Sequence, residues 1–166
     1  VWAEVDLDAI WENIVHMKEN IAPETKILAV IKTDGYGHGG VPIARMLEQL
    51  DFMFGYAAAT YEEAHVLREA GVKKPILILG YTFPYCYEEL IREEIRPAVY
   101  RKDTVEELAA AAVKAGKKAK VHIKVDTGMG RIGITPDDEG LEFVKFVMEH
   151  PELEVEGIFT HFAKSD

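Results

Sequence analysis

Apolar and polar residues alternate along the chain in two periods, and the period switches at intervals. Val1-Trp2-Ala3-Glu4-Val5-Asp6-Leu7 has the two-residue period of a short strand. Asp8 stands where an N-cap is needed for a helix carrying Ile10, Ile14, Met17 and Ile21 at near-helical spacing, and Pro23 helps to end it. Residues 26–32 read as the next strand, with Leu28, Val30 and Lys32 on one side and Ile27, Ala29 and Ile31 on the other. Both faces are apolar up to Lys32, the pattern of a strand covered on two sides.

Residues 41–50 predict a helix with Ile43, Met46, Leu47 and Leu50 on its buried face, 52–58 a strand, and 62–70 a helix stopped by Gly71. The alternation repeats: a strand at 75–80, a helix at 87–93, a strand at 97–100 and a helix at 104–115 closed by Gly116. A strand at 119–126, a helix at 138–149 and a strand at 154–161 follow. After the opening strand, about six β units separated by helices predict a parallel sheet.

Two architectures share that rhythm, an open doubly wound sheet and a (β/α)8 barrel. A dinucleotide fold needs Gly-x-Gly-x-x-Gly opening the helix after its first strand. In Gly35-Tyr36-Gly37-His38-Gly39-Gly40, His38 takes the wrong kind of place and the third glycine comes early. The polar, unusual residues gather at the carboxyl ends of strands, where barrel active sites form. The expected fold class is therefore α/β, an incomplete (β/α)8 TIM-type barrel with about six of its eight units present. No linker or repeat divides residues 1–166, and the chain starts without methionine, so it is expected to be part of a longer protein. An unfinished barrel would leave parallel edges open to pairing, swapping or aggregation.

Lys32 is the first candidate for chemistry. A lysine at the end of a buried strand either snorkels to solvent or is held dry for a reaction. In a dry setting its pKa falls by up to about 3–5, which makes the amine nucleophilic toward an aldehyde. Lys32-Thr33-Asp34-Gly35-Tyr36-Gly37-His38-Gly39 resembles the pyridoxal-phosphate attachment motif of the alanine racemase family. The match lies in Lys32, Tyr36, Gly37, His38 and Gly39; at Thr33 and Gly35 the family more often has alanine, another small residue. The resemblance implies that Lys32 carries pyridoxal 5'-phosphate covalently and that the Tyr36 hydroxyl meets its phosphate. His38 is assigned no chemical step and is expected to cap the local backbone.

The second candidate stretch is Lys124-Val125-Asp126-Thr127-Gly128-Met129-Gly130-Arg131-Ile132-Gly133. On the strand before it, Val121, Ile123 and Val125 share one face, while His122, Lys124 and Asp126 share the other. Buried charges must be paired. Lys124 with Asp126 is one partnership, Arg131 reaching back as a donor fork is another, and an ion-pair network that only orients the fold also satisfies the pattern. The stretch is similar to the family's Lys-x-Asp-Thr-Gly-Met-Gly-Arg. That resemblance implies that Arg131 bonds the cofactor's phenolic oxygen and meets the substrate carboxylate. It also implies that Lys124 is a candidate for carbamylation, the resulting anion fixing Arg131. The closing stretch, Gly157-Ile158-Phe159-Thr160-His161-Phe162-Ala163-Lys164-Ser165-Asp166, resembles a family segment whose histidine lies close to the cofactor ring; here that residue is His161.

Composition narrows the class without naming a reaction. The formal charge of −10 argues against a nucleic-acid or anionic-membrane partner, and no apolar run approaches a membrane span. Cys86 is the single cysteine, which excludes an internal disulfide and a thiolate zinc site and makes a reducing cytoplasm the default setting. No metal ligand set is expected. By resemblance the parent protein is a homodimeric racemase interconverting L- and D-alanine, with Lys32 as acid/base on the face of the D-antipode. The opposite face is then served by a tyrosine from a carboxyl-terminal β domain of the partner subunit, outside these residues. So are the arginine facing the pyridine nitrogen and much of the phosphate cradle, and the chain alone is expected to be inactive. A serine or broad-spectrum racemase, a non-catalytic cofactor-binding barrel, and an unrelated α/β module with a structural Lys32 are the alternatives.

Overall fold

Strands and helices alternate as expected in the computed structural model, which describes residues 1–164; the last two residues of the closing motif lie outside the described residues. The chain forms two compact units, Val1–Ile76 and Leu77–Asp166.

In the first unit the expected opening strand is not formed. Residues 1–6 are irregular and exposed, Trp2 at 86%, because an alternating segment becomes a strand only beside a neighbour that takes up its backbone groups. Asp6, rather than Asp8, caps helix α1 (Leu7–Glu19): its carboxylate accepts the Ala9 N–H at 3.0 Å. The apolar stripe of α1 is not buried. Ile10, Ile14 and Met17 instead line an open cavity of about 360 Å³ together with Leu28 and Val30.

Strand β1 (Ile27–Val30) pairs in parallel with β2 (Met53–Ala58), with an irregularity in register between Ile27 and Leu28. The expectation that β1 is covered on both faces is corrected: Ile27 and Ile31 are buried, but Val30 is 42% exposed on the cavity side. Lys32 does not end the strand. It opens α2 (Lys32–Tyr36), a tight turn leading to α3 (Gly40–Leu47), whose Ile43, Ala44 and Leu47 face the core. Tyr56 joins β2 to α3, its buried hydroxyl donating to Ala44 O at 2.7 Å; burial pushes that phenol's pKa up. Gly55 is required where β2 passes the next segment, since a Cβ there would stand 2.1 Å from Pro75 O. Helix α4 (Tyr61–Glu69) starts at the N-cap Thr60.

The unit boundary falls within β3 (Ile76–Ile78). In the second unit a 3-10 turn (Pro84–Cys86) leads to α5 (Tyr87–Arg92), β4 (Ile95–Val99) and α6 (Lys102–Ala115). Gly116, left-handed at φ 65°, closes α6 as the sequence predicts. Then come β5 (Ala119–Val125), α7 (Asp138–Met148) and β6 (Leu153–Thr160). β5 runs parallel to both β4 and β6. Leu90, Ile91, Val99, Leu108, Ile123 and Val147 form the buried core here, each worth roughly 1.5–3 kcal/mol on full burial.

The β5–β6 pairing contains a bulge. Val121 stands opposite Val155, but His122 stands opposite Gly157, so Glu156 is the extra residue. Gly157 makes room there: a Cβ would come within 2.8 Å of the His122 ring.

Candidate active site

The strand ladder continues one residue past β1, where Ile31 N–H donates to Ala57 O at 2.9 Å, and Lys32 then leaves it. Its ammonium, half-buried, lies 5.9 Å from the centroid of the Tyr36 ring. Tyr36 is 60% exposed. Between the two the backbone winds left-handed, with φ of 51° at Thr33, 53° at Asp34 and 62° at Gly35, and 56° at Tyr36 itself. The left-handed region costs L-residues roughly 1–2 kcal/mol each, so Thr33, Asp34 and Tyr36 together hold on the order of 3–6 kcal/mol of strain. β-Branched Thr33 is the least suited of them.

Such strain persists where neighbouring groups over-determine the geometry. Asp34 accepts the Gly40 N–H on Oδ1 at 2.7 Å and the Gly39 N–H on its backbone oxygen at 2.8 Å. His38 lies against Gly35 O through Nδ1 at 3.0 Å, a local backbone contact as expected. Gly35 is tightly packed as well as left-handed: a Cβ there would stand 3.1 Å from Ile43 Cδ1 and 3.2 Å from Gly40 N. From outside the turn, Glu63 accepts the Thr33 N–H on Oε1 and the Ala59 N–H on Oε2, each at 2.8 Å. Thr60-x-x-Glu63 has the spacing of a capping box, whose glutamate ordinarily turns back to the cap residue's own N–H. Thr60 does accept the Glu63 N–H, at 3.4 Å, but the glutamate carboxylate goes to the neighbouring loops. The box was the available signal; its second partner, thirty residues earlier, was not.

In the second unit His122 and Lys124 are buried on one face of β5, as the alternation predicts. Lys124 is 3% exposed, donates to Val125 O at 2.9 Å, and lies 5.3 Å from the Phe159 ring centroid. Burial pushes its pKa down; Asp126 opposes this and Arg131 adds to it. Of the partnerships open to Lys124, a salt bridge with Asp126 is not formed among the described residues. Asp126 is occupied by the glycine turn, taking the Gly128 and Gly130 N–H groups on Oδ1 at 2.9 and 3.1 Å and the Arg131 N–H on Oδ2 at 3.1 Å. Those backbone donors, Gly130 foremost, hold its carboxyl below the ordinary range. The turn rejoins β5 through Asp126 N–H to Ile134 O at 2.8 Å and Ile134 N–H to Lys124 O at 2.9 Å, leaving Arg131 exposed.

His122 is paired elsewhere. Its Nε2 meets Glu156 Oε2 at 3.0 Å, and Arg96 of β4 grips both Glu156 oxygens at 2.9 Å while also donating to Glu94 O. Arg96 first, then His122, outweigh burial and hold the Glu156 carboxyl at about 2. At the end of β6 the Thr160 hydroxyl donates to Val125 O at 2.9 Å and contacts the Thr127 hydroxyl at 2.8 Å, with His161 exposed one residue on.

Lys32 and Tyr36 thus come together in the first unit. Lys124 and Arg131 stand at the two ends of one turn in the second, with His161 following the strand paired to β5. An amine beside a phenol suits an aldehyde that carries an anionic group; an exposed guanidinium suits a phenolate or carboxylate. Among the described residues no group of three or more His, Cys, Asp or Glu could hold a metal ion, and no helix is long and apolar enough to cross a membrane.

A family model described as "Alanine racemase, N-terminal domain" matches residues 5–166. The alanine racemase of Desulforamulus reducens is 45% identical over 166 residues, covering 100% of this chain and 45% of that protein. Among solved structures, alanine racemase of Clostridium difficile 630 in complex with cycloserine is similar at a TM-score of 0.95 and 38% identity, over 98% of this chain and 44% of that one. Alanine racemase from Bacillus anthracis with bound L-Ala-P gives 0.87 and 41%, over 98% and 42%. The likeness carries the fold class, α/β with the parallel β/α units of an incomplete barrel. The chain spans less than half the length of these relatives.

Proposed function

The chain belongs to the alanine racemase family, matching its N-terminal domain, and from that premise we propose that the whole protein interconverts L- and D-alanine with pyridoxal 5'-phosphate. The observation that carries this reading is Lys32, a half-buried lysine set directly past β1 and beside Tyr36 by a strained turn. Lys32 would hold the cofactor through Nζ, the Tyr36 hydroxyl would bind its phosphate, Arg131 its phenolic oxygen, and His161 would lie near its ring. When bound, pyridoxal phosphate supplies an electron sink for the α-carbon.

The remaining work falls to the chain's own groups. Lys32 Nζ takes the Cα proton from the D-antipode, or returns it, on one face. Arg131 orients the substrate carboxylate with its planar fork. Burial favours an uncharged Lys124, and a neutral amine can add carbon dioxide, forming a C–N bond and releasing a proton to give a carbamate. That anion would fix Arg131. The base for the opposite face comes from a partner subunit, so the reading includes a homodimer and an inactive 166-residue chain. It also includes a cytoplasmic setting, on the ground of the single cysteine.

Borohydride reduction of the full-length protein with pyridoxal phosphate, followed by peptide mapping, tests the assignment. The label is expected on Lys32, and K32A is expected to abolish D-alanine formation. A label on another residue refutes it. Turnover of alanine by the 166-residue chain alone would refute the placement of the second base.

A further inference from the structure

We infer that Glu63 is a positioning residue for Lys32, acting through the backbone N–H that immediately follows it. The inference rests on the reading of Lys32 given above. Three observations carry it. Glu63 accepts the Thr33 N–H at 2.8 Å, and that N–H belongs to the peptide plane joining Lys32 to Thr33. The same carboxylate accepts the Ala59 N–H at 2.8 Å, so one side chain ties the end of β2 to the turn after β1. The turn it holds is strained at Thr33, with φ 51°, and at Asp34, with φ 53°.

Without Glu63, Thr33 can relax toward the right-handed or extended regions available to a β-branched residue. The Lys32–Thr33 peptide plane would rotate with it, and the Lys32 side chain would leave from an altered backbone direction. Misplacing a reacting atom by about 1 Å can cost roughly a hundredfold in rate. Glu63 need not touch substrate or cofactor for this. A carboxylate is also the side chain that fits both donors: it offers two acceptor oxygens to two N–H groups, whereas glutamine presents an amide NH2 to one of them. E63Q therefore loses one bond and E63A loses both.

The test uses the full-length protein and both variants. Hydrogen exchange at the Thr33 amide is measured without cofactor, with amides of α6 as the control. Borohydride labelling of Lys32, kcat and KM for alanine are then measured with pyridoxal phosphate. Thr33 exchange is expected to quicken by about tenfold or more in E63A and by less in E63Q, with α6 unchanged. Labelling of Lys32 should slow, and kcat should fall by about tenfold or more while KM stays within about twofold. Thr33 exchange at the wild-type rate in both variants overturns the restraint. So does a general quickening that includes α6, which marks Glu63 as a stabilising residue only. Faster Thr33 exchange with unchanged kcat overturns the positioning role. A wild-type label on a residue other than Lys32 makes the reading of Lys32 itself the failure, while the exchange result still decides whether Glu63 holds the turn.

Discussion

Replacing Glu156 by glutamine removes the charge at the centre of the buried Arg96–Glu156–His122 group and leaves its shape nearly intact. In the wild type Arg96, aided by His122 and opposed by burial, lowers the Glu156 pKa from the ordinary 4.5 to about 2. At about 1.4 kcal/mol for each tenfold change in proton affinity, this corresponds to about 3 kcal/mol of folding stability. The side chain is 21% exposed, so solvent screening removes little of it. Most of the loss in E156Q is the Arg96 guanidinium, 6% exposed, left without its counter-charge. Because the folded pKa is depressed, the contribution is complete above the unfolded value and disappears as pH falls through the folded one. Urea unfolding of the 166-residue chain and of E156Q should therefore differ by about 3 kcal/mol near neutral pH, the gap closing between about pH 4.5 and pH 2. Other carboxylates titrate over the same range and cancel in the difference. A gap below about 1 kcal/mol at neutral pH, or one that does not change with acid, would refute the reasoning.

Two further outcomes follow from close contacts and burial. G157A should lower stability by about 1–3 kcal/mol in the same denaturation assay, because its Cβ would meet the His122 ring at 2.8 Å; wild-type stability would show that the ring has room to move. Bicarbonate should add the mass of one carbon dioxide under native conditions, mapped to Lys124 and lost in K124R, since burial disfavours the charged amine; a mass unchanged by bicarbonate would count against the carbamate.

Local periodicity made most of the elements legible. The apolar spacing and the left-handed Gly116 set the span of α6, and the alternation along β5 told which side chains share the His122–Lys124 face. Four features depend on information that periodicity does not hold. The opening stretch alternates like a strand but pairs with no neighbour among the described residues. Lys32 was expected to end β1, yet it begins a left-handed turn built on threonine, aspartate and tyrosine, residues that by themselves disfavour that conformation. Arg96 and Glu156 meet across sixty residues, so the pattern on β5 could state that His122 needed a partner without saying which. For Lys124 the nearest carboxylate in sequence, Asp126, was one candidate partner, but the Gly128, Gly130 and Arg131 N–H groups occupy it.

The extra residue at Glu156 has a consequence for the reading frame of β6. Before it, odd-numbered residues of β5 stand beside odd-numbered residues of β6; after it the parity is exchanged, and Phe159 falls beside Lys124. A chain shortened by one residue between Val155 and Ile158 would preserve composition and propensity almost unchanged. Removal of Glu156 itself would leave Gly157 beside His122 and Phe159 beside Lys124, yet it would take away the carboxylate that the bulge holds against Arg96 and His122.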